Sequence, residues 1–478
     1  MKRWIDFATR EWPLFLYWAF TVCLYSTLSL FRHWHFGSNG YDLGIFDQVI
    51  WHFSRFERPT GTVTAFPNML GDHFYPALIL LAPLYWICSR VEMILVAQAV
   101  LLTLPVFPIC LFAQKRLGRA RAYFFAVCYG LLWEVQITAE FDFHEICIAV
   151  PAVAFAIYFA DEGRWKSFFA AVFLLMMAKE DMVLLVFFIG LLLVLRKEYK
   201  KGLVLSAVSL AFFYFEIKML IPYFGAKGYS YWNYAQLGQG PMEALGTCLT
   251  HPLKVFLMIF SNSTKIYTLK WLFIPFFFLA FFSPWVILTI PLIGERMLSD
   301  SPNLWIMHFH YSAVAAPVIC LASVDGLWRL SKRFREPRLR DRMVTAVTVC
   351  MLVFNLDTAQ RPRFPLRQLT DPAFYHFTDI DRAGYRALGL IPADASVLAQ
   401  SSIVPHLSHR ETITMIDKGS MGGPSTEDYV IGSFNESWWP LDSRAELEKV
   451  LGVKEKAGYK KIFDQEGWFV LKRGDLAH

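Results

Sequence analysis

An α-helical, polytopic membrane protein with a small extracytoplasmic α/β domain at its C-terminal end is the fold class the sequence predicts. Three observations predict it. The chain is 55% hydrophobic and 17% aromatic over 478 residues, with a mean hydropathy of +0.38; soluble domains sit near roughly 45–50% apolar. Several apolar runs approach or exceed the ~18–20 residues that a spanning helix needs, and short Lys/Arg blocks lie between them. From Asp357 onward the apolar runs give way to short segments punctuated by Gly and Pro.

The net charge of +6 is no nucleic-acid signature, because the basic residues sit in the blocks that mark cytoplasmic loops. Lys2, Arg3 and Arg10 precede the first apolar span and no small-residue cleavage pattern follows it, so a retained first helix is expected. Seven of the eight cysteines lie in or beside apolar spans and none lies in the tail. They read as small buried hydrophobes rather than as metal ligands or a disulfide framework.

Apolar runs place the helices and positive charge places the sides. Trp12 to Phe31 runs outward from a basic N-terminus, which makes the polar stretch Arg32 to His73 the first outer loop. Phe74 to Ile87 is apolar but short. Met93 to Phe112 ends at Lys115, Arg116, Arg119 and Arg121, a cytoplasmic block, so Met93 starts outside and Phe74–Ile87 is a re-entrant or interfacial extension of the outer loop. Ala122 to Ile137 runs out to a second polar loop at Glu140–Glu145, and Ile146 to Ala160 returns. Ser167 to Leu195 is too long for one helix and has basic residues at both ends, which predicts a helical hairpin with Lys179-Glu180-Asp181 at its tip. Leu203 to Ile221 goes out to an aromatic loop containing Tyr229, Tyr231, Trp232 and Tyr234. Pro252 to Phe260 is a short inward span, with Lys265 and Lys270 marking the inside. Trp271 to Ile293 returns outward, kinked at Pro284 and Pro291. Ser312 to Leu330 goes in, and Met343 to Leu356 goes out. The sum is about eleven spans with a cytoplasmic N-terminus. Residues 1–356 form the membrane domain and 357–478 the extracytoplasmic α/β domain. In that tail, helices are expected over Ile380–Leu390 and Arg444–Leu451. Strands are expected over Ser396–Gln400, Thr412–Ile416, Tyr429–Phe434, Lys460–Phe463 and Trp468–Lys472.

This topology puts most acidic and histidine clusters on the outer face. Asp42 and Asp47 lie in the first outer loop, where a charge beside an apolar span needs a partner or a task. At about 100° per residue they would stand about 140° apart on one helix, so both reach one site only if Asp42 lies just ahead of the helix; Asp42 also reads as an N-cap. Asp47, flanked by Phe46 and Ile50, is the carboxylate to mutate first. Asp72-His73, at the end of the loop, is a pair of a kind that ligates divalent metals or acts as acid and base. Asp142, His144 and Glu145 form a similar group. Lys179, Glu180 and Asp181 interrupt an apolar hairpin at a cost of several kcal/mol unless they pair or hold a ligand. Glu295, Arg296, Asp300, His308, His310 and Tyr311 complete the set. No P-loop, GxSxG, HExxH or CxxC is present, so nucleotide hydrolysis and serine or zinc-protease chemistry have no support.

The segments Asp42-Leu43-Gly44-Ile45-Phe46-Asp47-Gln48, Gly71-Asp72-His73-Phe74, Phe141-Asp142-Phe143-His144, Lys179-Glu180-Asp181, His310-Tyr311 and Ile391-Pro392-Ala393-Asp394-Ala395-Ser396-Val397 resemble a family of bacterial multi-pass membrane proteins, domain of unknown function 2079. That family in turn resembles the GT-C glycosyltransferases, which take a sugar from a polyprenyl-phosphate donor on the outer side of the membrane. The chain lacks the Trp-Trp-Asp signature of the oligosaccharyltransferases among them. The resemblance implies a GT-C-like fold in a bacterial inner membrane. Its partners would be a polyprenyl-phosphate sugar donor and membrane lipid, with no nucleic acid. It implies a general base at Asp47 or Asp42. On this reading Asp72, His73, Asp142 and His144 hold a divalent Mg or Mn ion or the sugar hydroxyls. Lys179 and Arg296 meet the lipid phosphate, and Glu180, Asp181, Glu295, His310 and Tyr311 complete the substrate site. The alternatives are a transporter or flippase of a lipid-linked or anionic solute, motivated by the charged hairpin tip, and a scaffold that displays the tail.

Overall fold

The computed structural model describes residues 10–225, 231–422 and 426–474. Lys2, Arg3 and Tyr229 lie outside the described residues. Helices fill the chain to Ala359, and most of them share one apolar core. Five of them are long and apolar enough to cross a membrane: Trp12–Trp34, Glu92–Leu117, Tyr199–Tyr223, His310–Ser331 and Pro337–Ala359. The pair Arg119–Gly130 and Trp133–Glu140, bent by 40°, makes a sixth if counted as one span. The bend follows Gly130, whose carbonyl accepts from the Tyr25 hydroxyl at 2.5 Å. A Cβ on Gly130 would meet the Tyr17 hydroxyl at 2.1 Å. Other legs are shorter. Trp165–Ala178 and Met182–Leu195, 14 residues each, form the expected hairpin around Lys179–Asp181. Phe74–Ile87 consists of a 3-10 turn, Pro76–Leu81, and a helix, Pro83–Ile87. Its Ile79, Leu80, Trp86 and Ile87 side chains are exposed. The expected count of eleven crossings exceeds the five or six helices that meet the length test among the described residues.

Two expected spans are corrected. Pro252–Phe260 is a helix of 7 residues, Pro252–Met258. At ~1.5 Å per residue it is far short of a bilayer. It packs with Pro241–Thr250 around Leu237, Ala244 and Met258 and exposes Leu253, Phe256 and Leu257. Trp271–Ile293 is likewise not one kinked helix. Ser263–Phe273 gives way to 3-10 turns over Ile274–Phe276, Leu279–Phe282 and Pro284–Leu288, and Thr289–Leu298 resumes the helix. Pro275 and Pro284 remove helix donors, and Phe277 and Phe278 adopt left-handed φ values of 50° and 59°. The stretch 263–298 therefore goes in and comes back. Thr268 donates to the Trp305 carbonyl at 2.5 Å, so Lys265 and Lys270 belong to a helix that starts beside the Glu295–His310 loop, not at the opposite end.

That opposite end is pinned by charge. Arg116 pairs with Asp161 at 2.7 Å and with Asp325 at 3.2 Å. Asp325 also accepts from Ser283 at 2.7 Å and from Arg329 at 2.6 Å, so its buried carboxylate is compensated on every side.

The tail is a five-stranded sheet in the order β2-β1-β3-β5-β4, with β1 Val397–Ala399, β2 Ile413–Met415, β3 Tyr429–Ser433, β4 Tyr459–Gln465 and β5 Trp468–Arg473. Each lies where strand patterning puts it. β1 pairs in parallel with β2 and β3, and β5 is antiparallel to β3 and β4. Successive residues face opposite sides. Val397, Ala399, Ile431 and Val470 pack with Asp379–Leu388, whereas Leu398, Val430 and Leu471 pack with Arg444–Lys456.

Gly326 tests the in-and-back stretch, because its added Cβ would stand 1.9 Å from the Leu279 carbonyl oxygen. Gly326→Ala is expected to cost about 3 kcal/mol, read as a lower melting temperature of the detergent-solubilised protein. An unchanged melting temperature would show that the Leu279 turn does not pack there.

Candidate functional site

The first loop is shaped from both sides. Gly40–Gly44 forms a single π-helical turn, closed by Gly44 N–H donating to the Asn39 carbonyl at 3.2 Å. Such turns interrupt helices and recur at functional sites. The tail presses on this one through Val404. A Cβ on Gly40 would lie 2.8 Å from Val404 Cβ, and one on Gly44 2.7 Å from Val404 Cγ1. Only glycine permits so close a backbone approach. The turn projects Asp42 into a cavity of about 510 Å³ at one end of the helical bundle.

A chain of alternating charges crosses the cavity from Asp42. His144 Nε2 lies 3.0 Å from Asp42 Oδ1, and its Nδ1 lies 3.1 Å from Glu145 Oε2. Lys179 Nζ meets Glu145 Oε1 at 2.9 Å. Burial opposes the His144 imidazolium, but the Asp42 and Glu145 carboxylates outweigh it and raise its pKa to about 9. His144 therefore carries the positive charge between two negative ones. His310 stacks on His144 with ring centres 3.4 Å apart, and its buried Nδ1 has no hydrogen-bond partner. Asp42 keeps 29% of its side chain exposed. Its Oδ2 is left open to the space.

A second set closes the other wall. His73 Nδ1 lies 2.5 Å from Glu180 Oε1, and the Phe74 N–H donates to Glu180 Oε2 at 3.2 Å. Burial opposes the His73 charge, yet Glu180 holds its pKa above the ordinary range. Tyr231 donates to Asp72 and stacks on His73 with ring centres 4.1 Å apart. Asp181, Glu295, Tyr234 and Tyr311 also line the space, and Asp181 has one buried oxygen without a partner. The chemistry on offer is a carboxylate for proton transfer, a lysine and two charged imidazoles for a developing anion, and aromatic faces for a ring or chain.

Several expected roles change. Asp47 is fully buried and faces the junction with the tail, accepting from Tyr85, from Ser408 and from His409 Nε2, the last at 3.0 Å. Its oxygens are saturated and it does not line the cavity with Asp42, so Asp42 takes its place as the candidate base. Asp142 is fully buried against Arg32 Nη1 at 2.8 Å and the Asn39 N–H at 3.0 Å. It orders the turn that carries Asp42. Arg296 lines the cavity, but its guanidinium is spent on the Leu304 and Ile306 carbonyls, at 2.9 and 3.0 Å, and on Ser312 at 2.6 Å. It shapes the Glu295–His310 loop. Asp72, His73, Asp142 and His144 do not fit a shared metal ion, since Asp142 belongs to Arg32 while His144 and His73 each bind a carboxylate. Among the described residues the three-residue group whose ligand atoms meet is His52, Glu57 and Glu411, outside the cavity.

The residues that sequence reasoning missed are the ones that fix these positions. Arg32 carried a legible signal, a cation at the outer end of the first span facing an acidic loop. Tyr85, Ser408 and His409 carried none, because the tail offers no pattern that says which of its loops meets Asp47.

The profile of a family described as "Predicted membrane protein (DUF2079)" matches residues 32–470. No curated protein matches. Among solved structures, ArnT from Cupriavidus metallidurans bound to undecaprenyl phosphate is similar with a TM-score of 0.52 at 12% identity, covering 95% of this chain and 97% of that one. ArnT from the same organism in the apo state is similar with a TM-score of 0.52 at 13% identity, covering 97% and 98%. At such identities the likeness establishes the fold.

Two outcomes test the site. Asp47→Ala would orphan three donors at the junction and cost about 3 kcal/mol or more, read as faster tryptic cleavage after Arg363 between bundle and tail. The His144 imidazolium contributes stability that is fully present below its unfolded pKa, near ~6.5, and is lost as pH rises through about 9. The melting-temperature gap between wild type and His144→Gln should therefore shrink from pH 6.5 to pH 9.5 or so. A gap that widens over that range would show His144 to be neutral.

Proposed function

The chain belongs to the DUF2079 family, and from that premise we propose that it is a membrane glycosyltransferase that takes a sugar from a polyprenyl-phosphate donor and gives it to an acceptor on the extracytoplasmic side. One observation carries the reading. In a fold like that of ArnT, the partly exposed carboxylate of Asp42 opens into a cavity of about 510 Å³ whose far wall holds Lys179. The topology that goes with it has a cytoplasmic N-terminus, about eleven crossings and an external tail.

The acceptor hydroxyl attacks the anomeric carbon and loses its proton to Asp42 Oδ2, while His144 holds Oδ1 and aligns the carboxylate. The bond from the anomeric carbon to the phosphate oxygen breaks, and the phosphate leaves on its lipid. Lys179 and the His73 and His144 imidazolium groups stabilise that negative charge in a site largely shielded from water. Tyr231, Tyr234 and Tyr311 offer faces to the sugar. The bound undecaprenyl phosphate of the ArnT structure supports a lipid of this class as the donor. The residues proposed for a divalent ion do not converge, so no step runs through a metal.

The test supplies purified protein with a labelled polyprenyl-phosphate sugar and membrane acceptor. Asp42→Asn should lower transfer by about 10²-fold or more while the melting temperature stays within a few degrees of wild type. Transfer by Asp42→Asn at the wild-type rate would remove Asp42 from the mechanism.

A further inference from the structure

The end of the bundle opposite Asp42 holds a second cavity, about 680 Å³, and its lining is strongly basic. Arg116, Arg121, Lys332, Arg338, Arg340 and Arg342 line it, against Asp341 as the acidic residue. Two of the six are engaged. Arg116 pairs with Asp161 and Asp325, and Arg121 pairs with Asp341. Among the described residues, no acidic side chain pairs with the other four. Lys332 Nζ lies 3.4 Å from the Trp328 ring centre, which leaves its N–H groups free.

The position of this cavity relative to a bilayer follows from the helices. His310–Ser331 starts at the Asp42 cavity and ends at this one, and its 22 residues span roughly 33 Å. That matches a hydrocarbon core of ~30 Å, so the cationic cavity sits at the level of headgroup phosphates. Pro337–Ala359 descends from the cavity and exposes Leu339, Val349, Val353 and Leu356, side chains suited to acyl chains. We propose that this cavity binds the phosphate headgroup of an anionic phospholipid, held by Lys332, Arg338, Arg340 and Arg342. A soluble phosphate would satisfy the cations but would make no use of the apolar helix face. The site is independent of glycosyl transfer and stands or falls separately from it.

Native mass spectrometry of the full-length protein, released from micelles doped with cardiolipin, phosphatidylglycerol or phosphatidylcholine, reads the occupancy. Wild type should retain the anionic lipids and not phosphatidylcholine. Arg338→Gln with Arg342→Gln should cut retention at least tenfold, and Lys332→Gln should weaken it in a single-site variant. Arg333→Gln with Arg335→Gln removes the same charge from residues outside the lining and should leave retention unchanged. Equal losses in the two double variants would assign the effect to diffuse surface charge and overturn the proposal. Displacement of the lipid by millimolar inorganic phosphate would overturn it in favour of a soluble ligand.

Discussion

The grip of the tail on the first loop is the constraint on which the rest of the structure depends. Asp47 is a carboxylate taken wholly out of water. It is tolerable only because Tyr85 from the bundle and Ser408 and His409 from the tail all reach it. Gln48 extends the contact by donating to the Arg410 carbonyl at 3.1 Å, and Thr62 both accepts from Ile413 N–H at 3.0 Å and donates to its carbonyl at 2.8 Å. The loop thus acts as one more partner at the edge of β2. A few residues earlier, Val404 fills the space over Gly40 and Gly44, and the turn between those glycines carries Asp42. The carboxylate that binds the domains together and the candidate base that faces the cavity are therefore parts of one segment.

The cavity itself obeys a simple electrostatic rule. It gathers more acidic than basic side chains, yet the shortest contacts alternate in sign, from Asp42 to His144 to Glu145 to Lys179, and from Glu180 to His73. Along these two runs each charge is compensated by an immediate neighbour, which is the condition for keeping it ionised away from water. Asp42 combines partial exposure with an oxygen that no neighbouring group holds. A group in that state can exchange a proton with a bound molecule without first breaking the wall that holds it.

Much of this architecture was legible in the sequence because it follows from local periodicity. The strands and helices of the tail, the hairpin tipped by Lys179–Asp181 and the short apolar segment after His73 all carry their signal within a dozen residues. What stayed hidden depends on distant contacts. Asp42 and Asp47 look alike in sequence, and only the packing of Ser408 and His409 makes one structural and the other available. Asp142 and His144 are two residues apart, yet Arg32 takes the first and Asp42 the second. Pro252–Phe260 is apolar enough to suggest a span, but its length fits a surface helix. Proline and two left-handed phenylalanines displaced the next crossing. Composition does not record where a chain turns back.

The contact of Gly40 with the tail also bears on how the protein is made. Gly40 N–H donates to Ser401 at 3.3 Å across 361 positions of chain. During synthesis the first loop is delivered early, whereas the element that moulds it arrives after nearly all the helices have been inserted. Until then Asp42 has neither its turn nor its alignment to His144. A nascent chain that stopped short of Ser401 would hold the membrane helices and still lack the contacts that shape this cavity wall, so arrival of the tail doubles as the signal that assembles the site.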